Sequence, residues 1–179
     1  MKEIETKIIK VDIARLRKSL KENGAVFKGK IHYRRAVFPL DMRPNEIDEF
    51  IRIRTDGRKS TLTYKFRKGK GLANTDEYET SVSDFDKTVE IFSKIRAGKE
   101  RWLQENYVEK WDYNGADVDI CTWPLVPPFV EVESTSEAKI RKAIADLGID
   151  GEEIGNTNLG GVFERFGKKD LDCGDLSFE

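Results

Sequence analysis

Pairs of like-charged residues recur at every second position along several short segments of this sequence. The pairs are Glu3 and Glu5, followed by Lys7; Arg52 and Arg54; Lys65 and Arg67; Glu77 and Glu79; and Glu131 and Glu133, with Asp119 on the segment before. Because side chains alternate between the two faces of a β-strand, each pair would lie on one face. Arginine and lysine in such positions bind phosphate oxygens, and clustered carboxylates hold Mg²⁺ or Mn²⁺. A polyanion with a divalent metal is therefore the ligand that accounts for both signs of charge.

The ordinary alternative is that these charges cover the solvent-exposed face of a half-buried sheet. A solvated face, however, usually mixes small polar residues with both signs of charge, and like charges two residues apart repel each other. If the charged faces point inward instead, so many charges require pairing or bound ions. The alternation therefore favours a charged internal site.

The elements that would carry these residues are short strands with a few helices. Strands are predicted near residues 3–9, 31–38, 48–55, 60–67, 75–82, 104–113, 116–122 and 128–133, with a terminal strand over 176–178. Helices are predicted over 12–23, 84–96, 136–147 and 158–167, where Asp12 and Asp84 can act as N-caps. This pattern predicts an antiparallel barrel or sandwich with helices packed outside it.

Composition limits the class of protein. The 179 residues include 33 acidic and 32 basic side chains, for a net charge of −1, which argues against a general nucleic-acid binder. Two cysteines far apart in the chain fit a reducing compartment better than a disulfide framework; a single disulfide between them is the alternative. No apolar run approaches the roughly 18 residues of a membrane span, and no signal peptide is recognised. We expect one domain in the cytosol.

In this order, the charged segments resemble the CYTH superfamily of triphosphate tunnel metalloenzymes, which includes class IV adenylate cyclases, thiamine triphosphatases and inorganic triphosphatases. Glu3-x-Glu5-x-Lys7 is similar to the ExExK signature of that family, and FIRIRTDG and TLTYKFRKG are similar to its arginine and lysine strands. TDEYETSVSDFDK resembles its central acidic strand, and VDICTWPLVPPFVEVE its late acidic segment. The resemblance implies an α+β fold: an eight-stranded antiparallel closed β-barrel with helices packed outside, one domain over residues 1–179, and inward charges that form a tunnel for a triphosphate.

The resemblance also implies roles for individual residues. The phosphate-binding side chains would be Lys7, Arg52, Arg54, Lys65, Arg67 and Lys110. The ligands of one or two Mg²⁺ or Mn²⁺ ions would be Glu3, Glu5, Asp119, Glu131 and Glu133. Glu77 and Glu79 would be the acidic part of the tunnel wall, and the catalytic set would be Glu5, Lys7, Lys65 and Glu131.

Two positions depart from the pattern of the family. Val108 stands where an arginine is expected; Lys110, two residues later, would point to the same face but lacks the fork of a guanidinium. Cys121 stands where many relatives have a second acid. We interpret Cys121 as a small inward residue, with a softened metal preference as the alternative. The single histidine, His32, is interpreted as structural or exposed.

The activity favoured by these residues is metal-dependent hydrolysis of inorganic triphosphate, a nucleoside triphosphate or thiamine triphosphate. The cations would orient the phosphates, and water would attack in line. One alternative is a class IV adenylate cyclase, because the same site serves both reactions; cyclases often carry His-Phe just before the acidic signature, where this sequence has Met1-Lys2. A second is a binding module without catalysis, made plausible by Val108. We expect a small-molecule triphosphate as the partner, neither nucleic acid nor membrane, and a monomer or homodimer.

Overall fold

The computed structural model describes residues 4–43, 47–68, 75–95, 97–98, 100–169, 171 and 173–179, with the backbone alone at 42–43, 47–48, 67–68 and 75. The strands are β1 (Ile4–Ile9), β2 (Val26–Arg43), β3 (Ile47–Thr55), β4 (Ser60–Lys68), β5 (Thr75–Val82), β6 (Trp102–Tyr113), β7 (Ala116–Thr122), β8 (Phe129–Ser134) and β9 (Glu152–Gly155). The helices are α1 (Ile13–Glu22), α2 (Phe85–Lys94), α3 (Glu137–Leu147) and α4 (Leu159–Arg165). None of these helices is both long and apolar enough to cross a membrane.

The strands form a nine-stranded antiparallel sheet in the order β5-β4-β3-β2-β6-β7-β8-β1-β9. The predicted α+β class is confirmed, whereas the closed eight-stranded barrel is not, because the order of the described strands has two ends, β5 and β9. β9 was not predicted: four residues reading EEIG lack the alternation that marks a strand. The predicted terminal strand is reduced to one parallel bridge between Leu176 and Gln104.

β2 is the element whose length differs most from its prediction. It spans 18 residues although Gly29 and Pro39, which usually interrupt strands, lie within it. Gly29 has φ +130°, and the pairing of β2 with β3 shifts register between Pro39 and Asp41. Such an irregularity lets a proline, which has no N–H donor, remain in a paired strand.

The chain divides into two compact units, of which the first comprises Met1–Ile31 and Tyr107–Asp172. Its core forms where α1 and α3 cover one face of the sheet. The buried apolar residues there include Ile8, Leu16, Leu20, Val118, Ile120, Val130, Val132 and Ile140. Asp12 begins α1 by accepting a hydrogen bond from the backbone N–H of Arg15, and Gly148 ends α3 in the left-handed conformation. Alternation therefore leaves the charged residues of these strands on the other face.

The second unit comprises His32–Asn106 and Cys173–Glu179. Here α2, capped by Asp84, packs Phe85 and Val89 against the apolar face of β2, β3 and β4. That face consists of Ala36, Phe38, Ile51, Ile53 and Leu62. The apolar residue Ile95, within the range predicted for this helix, is 65% exposed beyond its last turn, so the buried face of α2 ends before it.

Candidate functional site

In the first unit, a row of four charged residues crosses four neighbouring strands, with a lysine at each end and two carboxylates in the middle. Lys110 pairs in register with Asp119, Asp119 with Glu131, and Glu131 with Lys7. The ammonium of Lys110 lies 3.0 Å from Asp119 Oδ2, and that of Lys7 lies 3.5 Å from Glu131 Oε1. The two lysine–carboxylate pairs stabilise that register, whereas Asp119 and Glu131 carry the same charge and repel each other. We call Glu5, Lys7, Lys110, Asp119, Glu131 and Glu133 the acidic cluster.

A second row, next to the first, is purely acidic. Glu133 pairs in register with Asp117 on one side and with Glu5 on the other. Lys7 connects this row to the first, because its ammonium also lies 3.0 Å from Glu5 Oε1. The structure therefore places one lysine between two of the predicted metal ligands, Glu5 and Glu131.

The surroundings of Lys7 keep its ammonium charged. Only 8% of its side chain is exposed, and burial by itself would lower its pKa. The carboxylates of Glu131 and Glu5 outweigh burial, so the pKa of Lys7 is raised. Lys7 is therefore a buried cation held by two carboxylates that are each about 30% exposed.

The two carboxylate oxygens of Asp119 differ in their hydrogen bonding to the described residues. Its Oδ2 accepts a hydrogen bond from Lys110, but its buried Oδ1 has no hydrogen-bond partner within the described part of the chain. Burial raises the pKa of Asp119, and Lys110 only partly opposes that effect. A buried acceptor without a donor is costly, and a hard cation would satisfy it.

The carboxylate oxygens of the acidic cluster are chemically suited to bind a divalent cation, because Mg²⁺ and Mn²⁺ prefer oxygen ligands of this type. Their present arrangement is an ion-paired one, however. Among the described residues, no three His, Cys, Asp or Glu side chains are grouped closely enough to hold a metal ion. The position of Lys7 between Glu5 and Glu131 gives a physical reason for this.

Val108 and Cys121, the two departures from the family pattern, face each other across β6 and β7. Both are buried. Burial, followed by the charges of Glu131 and Asp119, raises the pKa of the Cys121 thiol well above its ordinary value. The thiol is therefore neutral and occupies little space, which agrees with its interpretation as a small inward residue. Lys110 does share the face of Val108, as predicted.

In the second unit, the predicted phosphate-binding cations contact the predicted acidic wall. Arg52 Nη2 lies 3.5 Å from Glu77 Oε1 and 3.8 Å from Glu79 Oε2, and the ammonium of Lys65 lies 3.3 Å from Glu77 Oε2. The hydroxyl of Thr63 donates to Glu79 at 2.7 Å. These contacts follow the register, in which Arg52 pairs with Thr63, Thr63 with Glu79 and Lys65 with Glu77. We call Arg35, Arg52, Arg54 and Lys65 the basic cluster.

The cations of the basic cluster repel one another. Arg52 has only 15% of its side chain exposed, and its pKa is lowered first by burial and then by the charge of Arg54. Arg35 lies directly opposite Arg54 in the register and donates a hydrogen bond to Asn106 Oδ1. Like charges held this close attract an anionic ligand.

Two members of this site were missed from the sequence, Arg35 and Tyr33. Both lie on β2 on the charged face, because Arg35 pairs with Arg54 and Tyr33 is two residues away. The guanidinium of Arg54 lies 4.8 Å from the centre of the Tyr33 ring. The segment HYRRAVF has no clean alternation that would have marked them, because Arg34 stands between Tyr33 and Arg35.

Three further residues singled out from the sequence are Glu3, Arg67 and His32. Glu3 and the side chain of Arg67 lie outside the described residues. The histidine, predicted to be structural or exposed, is partly exposed, with its Nε2 2.6 Å from Glu105 Oε2. Glu105 also accepts a hydrogen bond from the backbone N–H of Phe178 at 2.7 Å, so His32 joins a contact that holds the C-terminal residues.

No protein-family model and no curated protein matches the sequence. Several solved structures, however, are similar to the structure of this chain. The PH1012 protein of Pyrococcus horikoshii is 20% identical, with a TM-score of 0.67 over 83% of this chain and 91% of that one. A Vibrio parahaemolyticus protein described as a candidate adenylate cyclase is 8% identical, with a TM-score of 0.62 over 90% and 97%. A Hippeastrum protein described as a candidate adenylyl cyclase with a dominant triphosphatase activity is 15% identical, with a TM-score of 0.57 over 93% and 95%.

These likenesses show the fold of the chain. It is the fold shared with proteins described as candidate adenylate cyclases. At such low identity, a shared fold does not assign roles to individual residues. A function has to be argued from the side chains of the acidic cluster and of the basic cluster.

Proposed function

We propose that this protein is a divalent-metal-dependent triphosphatase that hydrolyses a phosphoanhydride bond of an inorganic or organic triphosphate. The observation that carries the proposal is the register of the acidic cluster, which lines up Lys110, Asp119, Glu131 and Lys7 on the face opposite the helices. A merely solvated face would not bury Lys7 or leave Asp119 Oδ1 buried without a donor among the described residues. The fold supports it, since one protein that shares it is described as having a dominant triphosphatase activity.

Phosphate binding is the task of the cations. Arg52, Arg54, Lys65 and Lys7 would bind phosphate oxygens, with the arginine forks making paired contacts. The carboxylates of Glu77 and Glu79 are each 39% exposed, so they are free to turn towards solvent when a more highly charged phosphate replaces them. Lys65 would neutralise charge that develops on the transferred phosphoryl group.

The carboxylates have the complementary task. Glu5, Asp119, Glu131 and Glu133, together with Glu3, would hold Mg²⁺ or Mn²⁺, which when bound neutralises phosphate charge and lowers the pKa of water. Glu5 and Glu131 are about 30% exposed and therefore accessible to water. They would orient the attacking water and accept its proton.

A class IV adenylate cyclase is the second candidate, favoured by the fold shared with the Vibrio parahaemolyticus protein. The two reactions differ in the nucleophile, which is water in one and the ribose 3′-hydroxyl in the other. For either activity we propose a small-molecule triphosphate as the partner, without nucleic acid or membrane, and a cytosolic monomer or homodimer.

The test is an incubation with inorganic tripolyphosphate and, separately, with ATP or thiamine triphosphate, each with Mg²⁺ or Mn²⁺, followed by chromatography of all products. Orthophosphate with pyrophosphate or a nucleoside diphosphate supports the triphosphatase, whereas cyclic AMP with pyrophosphate supports the cyclase. Binding without any product supports a module without catalysis and contradicts the proposal.

The carboxylate role is tested with Glu131→Gln. It should lower the turnover number by at least about 100-fold, the usual contribution of a positioned acid or base, while the protein stays folded. Glu137→Gln is the matched control, because Glu137 lies on α3 with an exposed side chain. If Glu131→Gln unfolds the protein, or if both variants keep full activity, Glu131 is not part of the site.

A further inference from the structure

Arg54 differs from the other cations of the basic cluster in how it is held. Arg52 and Lys65 are within 4 Å of Glu77, but Arg54 makes no ion pair within the part of the chain that the structure describes. Its guanidinium instead lies 4.8 Å from the centre of the Tyr33 ring. Tyr33 and Arg54 are both half-buried and belong to the same compact unit.

The kind of contact matters for what Arg54 can bind. A guanidinium has five N–H donors, all in its plane, and an ion pair with a carboxylate occupies two of them. A cation–π contact restrains the group through interaction with the electrons of the ring, without engaging an acceptor oxygen. Arg54 is therefore restrained while its donors remain available to an anion.

The charges around Arg54 make such a restraint necessary. Arg35 is directly opposite it in the register, and Arg52 is two residues away on the same face. Without a carboxylate partner, repulsion from these two guanidinium groups would drive a flexible arginine side chain towards solvent. The negative face of an aromatic ring attracts a cation and opposes that displacement.

We propose that Tyr33 is a positioning residue for triphosphate binding, and that its ring holds the Arg54 guanidinium where the fork meets phosphate oxygens. This inference rests on the proposed function, because it assumes that Arg54 binds a phosphate. Tyr33 itself acts through Arg54 and needs no contact with the ligand. The ring, and not the hydroxyl, is the part that matters.

The test measures the dissociation constant of inorganic tripolyphosphate by titration calorimetry in EDTA, where only the cations of the protein bind. Tyr33→Leu should weaken binding about three- to tenfold, the range of a partly desolvated cation–π contact. Tyr33→Phe keeps the ring and should bind within about twofold of the wild type. Tyr64→Leu is the matched control: Tyr64 lies on the apolar face of β4, where its hydroxyl donates to Glu49.

A double-mutant cycle separates positioning from a general structural effect. If Tyr33 acts through Arg54, Tyr33→Leu should change the dissociation constant by less than about twofold in the Arg54→Met background. A loss of affinity that persists in that background would overturn the inference. So would a Tyr33→Phe variant as weak as Tyr33→Leu, or a Tyr33→Leu variant as tight as the wild type.

The same titrations distinguish failure of the inference from failure of the proposed function. A wild-type protein that binds tripolyphosphate, with Tyr33 variants that bind equally well, overturns only the role of Tyr33. A folded wild-type protein that neither binds nor hydrolyses tripolyphosphate, ATP or thiamine triphosphate overturns the proposed function and the inference with it.

Discussion

The ammonium of Lys7 lies between Glu5 and Glu131, where a metal ion bound by both carboxylates would also have to lie. Removal of this ammonium should therefore increase the affinity of the acidic cluster for a divalent metal. The ammonium lies 3.0 Å from one carboxylate and 3.5 Å from the other. A metal ion that uses both carboxylates must displace this ammonium or share them with it. We therefore predict that Lys7→Met binds Mn²⁺ more tightly than the wild type when no triphosphate is present.

The magnitude follows from the charges involved. Two unit charges 4 Å apart interact with about 4 kcal/mol at the effective dielectric constant of about 20 that suits protein sites. Burial of the ammonium offsets much of this attraction, and partial exposure of the carboxylates reduces it further. If only a third of one such interaction is recovered by the metal, affinity rises by about 1.4 kcal/mol, which is roughly tenfold.

The assay is calorimetric titration with Mn²⁺ in triphosphate-free buffer near pH 7. Lys10→Met is the matched control, because Lys10 directly follows β1 and pairs with Glu152, with 60% of its side chain exposed. That control should change the Mn²⁺ affinity by less than about twofold, since exposed ion pairs contribute little. Thermal unfolding in EDTA provides a second measurement: Lys7→Met should be destabilised by about 1–3 kcal/mol, and Mn²⁺ should restore more stability to it than to the wild type.

The reasoning would be refuted by equal Mn²⁺ affinity in the wild type and Lys7→Met. It would also be refuted by a folded Lys7→Met variant that loses Mn²⁺ binding. Equal gains in Lys7→Met and Lys10→Met would mean that net charge, and not the position of Lys7, sets the affinity.

Two further predictions concern stability and thiol reactivity. The pKa of Glu109 is lowered in the folded protein, mainly because Arg17 donates a hydrogen bond to its carboxylate. The stability that this pair contributes is therefore fully present above the unfolded-state pKa of about 4.3. It is lost as the pH falls through the lower pKa of the folded state. Arg17→Met should therefore reduce the free energy of unfolding by about 0.5–1 kcal/mol at pH 7, and urea titrations should show that this difference disappears at a pH where Glu109 is protonated; a difference independent of pH would contradict the assignment. Cys173 is exposed, whereas Cys121 is buried and its pKa is raised. A thiol reagent should therefore modify one cysteine in the native protein, two in urea, and none in native Cys173→Ser. Rapid modification of Cys121 in the folded protein would contradict this prediction and would show that the acidic cluster is open to solvent at that point.

Much of the fold could be predicted because its signals are local. Asp12 and Asp84 are N-caps of helices, as predicted, because the capping side chain bonds an N–H only three residues away. The alternation in TLTYKFRKG correctly separated Leu62, on the apolar face, from Lys65, on the charged face.

The failures of prediction have equally physical causes. β9 is short and acidic, and only its pairing with β1, more than 140 residues earlier, makes it a strand. Arg35 was missed because its neighbour Arg34 hides the alternation; nothing local shows that Arg35 lies opposite Arg54. The resemblance to a family predicted a closed barrel, whereas the described strands form a sheet whose order has two ends.

Which side chains share a face of each strand follows from the order of the amino acids, since that depends only on the two-residue period of the backbone. The types of group available, carboxylates in some strands and cations in others, follow from it too. Which charges meet depends on how strands that are distant in the chain pair with each other. Lys7 lies between Glu5 and Glu131 because β1 pairs with β8, more than 120 residues away, in one particular register. A shift of one residue in that register would turn Lys7 away from Glu131, and no local pattern specifies the choice.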